Sequence, residues 1–490
     1  MAEIVVDSTG LPVGLIIFAF VCCALFGYIY SSLFKQKPEP QKKENQQKSS
    51  QVKSQHTSSN KTVHATKAHK KTVYRAPKHH QFSSPALIST FKGHTDTITS
   101  GAVSANGKGL VTAALDRTLF FYNLREAFSS GASSIQGTRS NIQYDHVSKL
   151  CWSPDYAAIV VQKNDAATLQ VIKGTKKTDG TLTSLNTVRE FPKPFPDHLV
   201  GLEVAGNGKF IMTCAGASNL LSLWDLHGNL LGSVDTKQGH TLHAVVSIDD
   251  RFIATSGFTP EVKVFEVIYD KCGDFKSLNK AFELTGHNSR IFGSHFSPDS
   301  NKMATVSKDG TWNLYDTNVD YQQGQRPSII TSGSISSARS VEDREPCIVR
   351  LSPDTRVVLV TAGASLYCYS SASGVLVHNL DNIYAGPILN VFFDAGNQFF
   401  LTLGDHQGHL FHNVAGHHAT IQELEVSLKA ATYSGLRDRI RSQLEGARKA
   451  LAKLEAKAAQ QQQNNSSSKK SIKTQDNTKN NNNNNNKKNK

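Results

Sequence analysis

No lysine or arginine precedes Lys35, and between Asp7 and Lys35 the chain carries no charge of either sign. A secretory signal peptide wants a basic start and a shorter apolar run, so Glu3, Asp7 and the length of the segment argue against one. At about 1.5 Å per helical residue, roughly twenty uncharged residues cross a hydrocarbon core of about 30 Å. The run LPVGLIIFAFVCCALFGYIYSSL at residues 11–33 is therefore expected to be a retained transmembrane helix, with residues 1–10 a lumenal stub. Lys35, Lys37, Lys42, Lys43 and Lys48 follow it. Lysine and arginine are held on the cytoplasmic side, so the long C-terminal part should face the cytosol.

Cysteine is sparse, with seven in 490 residues, and no Cys-x-x-Cys pair suggests zinc or a redox centre. Cys22 and Cys23 lie in the span. Cys151, Cys214, Cys272, Cys347 and Cys368 are isolated, mostly in apolar, strand-like surroundings, and read as free thiols of a reducing compartment.

Catalytic signatures are missing as well. There is no Gly-x-Ser-x-Gly elbow, no glycine-rich phosphate loop and no His-Glu-x-x-His. The NGKG at Asn106 and the GNGK at Gly206 read as turns between strands. His406, His409 and His412 are three apart, a spacing that puts neighbours on opposite faces of a strand and spoils a shared metal.

The net charge of +14 suggests a nucleic-acid binder until it is located. Residues 35–80 hold twelve lysines and arginines against two acids, and residues 459–490 hold seven lysines against one aspartate. Between these tails the charges balance. The stretch 34–81 is too poor in apolar residues to offset chain entropy, and reads as a disordered basic linker able to touch anionic lipid or RNA. Residues 460–490, rich in Asn, Gln and Lys, form a low-complexity tail.

What remains repeats. From Gly286 the chain reads GHNSRIFGSHFSPDSNKMATVSKDGTWNLYDTN: a Gly-His pair, then three short alternating strands broken by the turns SPDS and KDGT. The same grammar starts at Gly93 and recurs in CAGASNLLSLWDL, ending at Trp224-Asp225. Gly-His, then Ser-x-Asp, then Trp-Asp is the signature by which the chain resembles the WD40-repeat family. Third-strand positions fall at Tyr122, Ile172, Trp224, Phe265, Tyr315, Tyr369 and Phe411, at gaps of about 41 to 54 residues, one blade each. The expected fold is all-β, a seven-bladed propeller over residues 82–415. Its last unit lacks an outer strand, which Ala86–Phe91 can supply, closing the ring without open edges.

The resemblance implies a blade network in which the histidine bridges to the turn aspartate and a Ser/Thr: His287, Ser307 and Asp309 with Tyr315 in the third-strand slot, and His94 with Asp116, where Ala114 holds the serine slot. Trp224 and Asp225 mark a third such blade. A set repeated blade by blade serves the blade, so these residues are expected to be structural, and no catalytic, cofactor or metal residue is assigned.

Residues 418–459 lack proline and are rich in helix formers. Ile440, Leu444, Ala447, Leu451, Leu454 and Ala458 step as a short heptad seam, and Tyr433-Ser434-Gly435 should separate two amphipathic helices.

The order of anchor, basic linker, ring and helical tail closely resembles the membrane-anchored transducin beta-like proteins. That resemblance implies a non-enzymatic scaffold of the endoplasmic-reticulum membrane whose propeller loops bind protein partners, among them a stress kinase and translation machinery. Two other readings compete with it. One is a guanine-nucleotide exchange factor for a vesicle-budding GTPase, although that propeller family carries its anchor after the ring. The other is an RNA- or ribosome-associated protein using the basic tails.

Overall fold

A computed structural model describes residues 80, 82–129, 132–176, 182–191, 197–335 and 347–456. The expected stub at 1–10, the span at 11–33, nearly all of the linker and the tail at 460–490 lie outside the described residues. Among the described residues, no helix is long and apolar enough to cross a membrane.

Among the described residues the strands form seven sheets, one per repeat, antiparallel except where Ser134–Gln136 pairs in parallel with Leu87–Lys92 at the edge of the last. Blade 5 shows the pattern: Ile291–Phe296, Lys302–Ser307, Thr311–Asp316 and Ser328–Ser334 pair in chain order from the inside outwards. The seven third-strand positions expected from the sequence all lie on third strands, and all but Trp224 are buried. The innermost strands begin at Ile98, Val147, Leu199, Thr241, Ile291, Val349 and Ile388 and neighbour one another in a closed ring.

The turn after each innermost strand is built the same way in every blade. A serine or its replacement opens it, and three residues later the backbone is left-handed, at Gly107, Tyr156, Gly208, Asp250, Ser300, Thr355 and Asn397. In blade 5 the Ser297 hydroxyl donates to Asp299 at 2.5 Å and accepts from the Lys302 N–H at 2.9 Å. The Asn106 and Gly206 segments lie in these turns. Six innermost strands also carry a register shift near their start, as between Ile291 and Gly293. Such bulges bend a strand and re-aim the side chains beyond it.

Leu87–Lys92 pairs antiparallel with Gln407–His412, so the first strand completes the last blade. Phe91 is 1% exposed and packs among Leu401, Leu403 and Leu410. The core lies as layers between blades. Trp312 of blade 5 and Tyr369 of blade 6, for example, have ring centroids 5.4 Å apart within one cluster.

The helix Val414–Ala430 follows the last strand at once, four residues before the boundary read from composition. Asn413 caps it, accepting from the Gly416 N–H at 3.0 Å, and Ala415 and Ala419 pack into the cores of blades 6 and 7. Arg356 pairs with Glu423 at 3.0 Å. The break falls at 431–433 rather than at Tyr433-Ser434-Gly435, because Ser434 already lies in the second helix. Arg448 of that helix reaches Glu425 of the first at 2.7 Å, and the seam residues Ile440 and Leu444 are buried within the chain.

Candidate functional site

In blade 5, His287 sits in the loop entering the innermost strand. Its Nδ1 lies 3.2 Å from Asp309 Oδ2 and 3.2 Å from Thr311 Oγ1. Facing a carboxylate, Nδ1 carries the proton, which leaves Nε2 to accept from the Thr305 hydroxyl at 2.7 Å and from the Asn313 amide at 3.3 Å. Burial holds His287 below its ordinary pKa against the pull of Asp309. For Asp309, burial works upward, but hydrogen bonds from Thr311 and from the backbone of Asn288 and Thr311 outweigh it and hold the carboxyl low. Tyr315 donates to the Thr285 carbonyl at 3.0 Å. Gly286 has φ +125°, a conformation that side-chain-bearing residues rarely adopt, which favours glycine before the histidine.

Blade 1 repeats this set at the same spacing. His94 Nδ1 is 3.3 Å from Asp116 Oδ2 and 3.1 Å from Thr118, its Nε2 is 2.8 Å from Thr112, and Tyr122 reaches the Lys92 carbonyl at 3.4 Å. Burial favours a higher pKa for Asp116, but bonds from His94, Thr118 and the Thr95 N–H hold it well below the carboxylate range.

Ser307 is not the hydroxyl that the sequence pattern assigned to the histidine. It donates to the carbonyls of Ser289 and Arg290 at 3.2 and 3.0 Å and accepts from the Asp309 N–H. The partner is Thr305, two residues earlier on the same strand face. Alternation makes the two positions equivalent by pattern, but the strand ends at Ser307, which reaches the loop instead. With both imidazole nitrogens committed and the His287 side chain 1% exposed, the group holds one loop against the next turn and admits no substrate.

Elsewhere other chemistry makes the same tie. Asp145 accepts from the N–H groups of Asp165 and Ala166, Asp197 from those of Ala217 and Ser218, and Asp405 from those of Ala385 and Gly386. Gln238 donates to the carbonyls of Thr255 and Glu261. Sequence reasoning missed these residues, although the repeated Asp-His before the strands at Val147 and Leu199 was a legible signal. Trp224 donates to Thr213 at 2.8 Å, whereas Asp225 joins no buried histidine network. It accepts from the N–H groups of His227 and Asn229 in an outer turn, with the exposed His227 imidazole 3.8 Å away.

His406, His409 and His412 do not converge. Among the described residues, Asp145, His146 and Asp165 alone have ligand atoms close enough for a metal, and Asp145 is already engaged with backbone. Cys151, Cys214, Cys347 and Cys368 are buried and in no disulfide, and burial pushes the Cys214 and Cys368 thiols up to about 12. Cys272 departs from expectation, being exposed in a hairpin turn.

The edge that carries these loops presents an exposed cluster. Phe258 is 51% exposed, the Arg290 guanidinium lies 5.3 Å from its ring centre, and His240 meets it edge-on at 5.3 Å. Tyr144, in the loop before blade 2, is 90% exposed.

Comparison with known proteins fits this architecture. The family described as "WD domain, G-beta repeat" matches residues 85–123 and 278–316, the blades with the complete histidine sets. Transducin beta-like protein 2 of Mus musculus and of Homo sapiens are each 35% identical over 390 residues, 80% of this chain and 86% of theirs. Protein groucho of Drosophila melanogaster is 26% identical over 195 residues, 37% of this chain and 22% of its own length. The chain belongs to the transducin beta-like protein 2 family of WD40 propellers.

Proposed function

We propose that the protein is a non-enzymatic scaffold, held on the endoplasmic-reticulum membrane through residues 11–33, whose cytosolic ring captures protein partners on its loop edge. One observation carries this reading. The buried histidines of that edge are consumed in ordering loops, while Tyr144 and Phe258 stay exposed at its surface, with the half-buried Arg290 against the Phe258 ring. Tyrosine and arginine are enriched among the residues that dominate binding energy, and a loop frame fixed from below presents them at low entropic cost. The family resemblance is the ground for placing the partners in stress-kinase signalling and translation control. The uncharged run at 11–33 and the lysines after it are the ground for the anchor and its orientation. The linker at 34–81 adds a basic stretch suited to anionic lipid or RNA beside the membrane.

Proximity labelling from the C-terminal end of the full chain in intact cells tests this. Phe258→Ala with Tyr144→Ala should remove a defined set of labelled partners while the amount of folded protein holds. Accelerated nucleotide release from a budding GTPase, lost in the same variant, would replace the scaffold with an exchange factor.

A further inference from the structure

Because side chains alternate along a strand, two residues from each innermost strand face the ring axis in successive layers. The layer nearer the first turns holds Glu203, His295 and Arg350. The next holds Ser100, Lys149, His243 and Asn390. Most of these groups tie one blade to its neighbour. Glu203 accepts from the Val246 N–H at 2.7 Å, His295 Nδ1 from the Leu351 N–H at 3.2 Å, and Ser100 from the Leu150 N–H at 3.2 Å. Arg350 donates to the Val391 carbonyl at 3.1 Å and to Asn390 Oδ1 at 2.9 Å.

Lys149 and His243 make no such tie. The His243 Nδ1 is shut off from solvent without a hydrogen-bond partner. Among the described residues, no carboxylate lies within ion-pair distance of Lys149 or Arg350. Burial first, then the charge of Arg350, lowers the basicity of Lys149. Burial, Arg350 and Lys149 together press His243 down to about 3, so these groups share one space. Glu203 compensates little, since burial raises it to about 7. A cavity of about 280 Å³ opens on the first layer, with Ser104, His295, Pro298, Arg350, Pro353 and Phe392 in its wall.

The like charges of Lys149 and Arg350, with no carboxylate among the described residues in ion-pair distance, are costly to hold near one another unless an anion joins them, and the neutral His243 can serve as a hydrogen-bond donor. Small-molecule sites run from roughly 300 to 1,000 Å³, so the opening suits a compact ligand rather than a chain. The Arg350 guanidinium, held in place in the cavity wall with Lys149 and His243 one layer farther along the axis, matches phosphate oxygens better than a single carboxylate. We propose that the ring axis is a binding site for a small phosphate-bearing anion, recognised by Lys149 and His243 beside the fixed guanidinium of Arg350.

The source of the phosphate group is separable by experiment. Thermal unfolding of the full chain in detergent is followed with inorganic phosphate, with an inositol trisphosphate, and with sodium chloride at matched ionic strength. A concentration-dependent rise in Tm with inorganic phosphate identifies the free ion, and a rise with the inositol trisphosphate alone identifies a phosphorylated small molecule. Lys149→Met should weaken that binding at least tenfold, while its Tm without anion holds or rises as repulsion is relieved. Should this variant fail to fold, His243→Gln decides in its place, with an expected several-fold loss. Equal shifts in chloride, or an unchanged anion response in the folded variants, would overturn the site.

Discussion

Thr90 of the first strand and His409 of the last meet at 3.2 Å between Oγ1 and Nδ1, so residues from opposite ends of the propeller sequence lock its closing blade. His409 stacks on Tyr384 at 5.0 Å and is 2% exposed. Burial above all, with the charges of His80, Lys92 and His406, lowers its pKa from 6.5 to about 3. The folded state therefore prefers the neutral ring. Its contribution is complete above about pH 6.5 and is lost as the pH falls towards 3. Glu203, raised from 4.5 to about 7, acts oppositely, contributing fully below 4.5 and losing that contribution as the pH rises through 7. Urea midpoints should drop between about pH 6.5 and 5, where the depressed His243 and His295 add to His409 and outweigh the single opposing Glu203, and His409→Gln should make that acid limb shallower while lowering stability at neutral pH. An acid limb of unchanged slope in the variant would remove His409 from the closure.

The closing strand should also matter through packing. Phe91 lies 1% exposed in the cluster shared by blades 7 and 1, so Phe91→Ala should cost about 3–5 kcal/mol. Removing Ala86–Phe91 exposes the edge at Gln407–His412, and the protein should aggregate or lose its cooperative calorimetric transition. Removing 460–490 should leave Tm nearly unchanged, because that tail carries one large apolar residue, Ile472, in a run of polar ones. A strand deletion that melts like the parent would mean that another segment closes the ring.

The two hydroxyls of blade 5 should separate by role. Thr305→Val leaves the buried Nε2 of His287 without its closest donor and should cost about 1–3 kcal/mol. Ser307→Ala should cost less than half of that, since blade 1 already carries alanine at the matching position, Ala114, buried and accommodated. Denaturant midpoints at equal m-values give both numbers. Equal losses would return Ser307 to the histidine network.

The propeller was legible because its physics is periodic. Alternating strands, Asp/Gly turns and a third-strand bulky residue recur at a blade's spacing, and even the strand that closes the ring could be read by counting. The loop ties were legible only where the whole pattern survives, in blades 1 and 5. Where Asp145, Asp197 or Gln238 replaces the histidine, or Tyr384 does so above the retained turn aspartate Asp405, the geometry persists with different atoms, because any acceptor or donor that reaches the facing turn will order it. Thr305 was misread as Ser307 because alternation cannot say where a strand ends. The polar layers at the axis left no sequence signal, since Lys149, Glu203, His243, His295 and Arg350 come from five strands and meet only once the ring is closed.

Topology can be tested with groups the chain already has. Asn60-Lys61-Thr62 and Asn465-Ser466-Ser467 are acceptor sequences for N-glycosylation on either side of the ring. The five lysines from Lys35 to Lys48 should hold the linker on the cytosolic side, away from the glycosylation machinery. Full-length protein should therefore show no mobility shift on endoglycosidase treatment. Moving positive charge across the span, with lysines placed among residues 2–8 and Lys35, Lys37, Lys42 and Lys43 neutralised, should invert a fraction of the molecules. That fraction should acquire glycan at Asn60 and in the C-terminal tail, and lose the Asn60 share in Asn60→Gln. Glycan on the unaltered protein would place the ring in the lumen, and with it the unbridged cysteines Cys151, Cys214, Cys347 and Cys368 in an oxidising compartment.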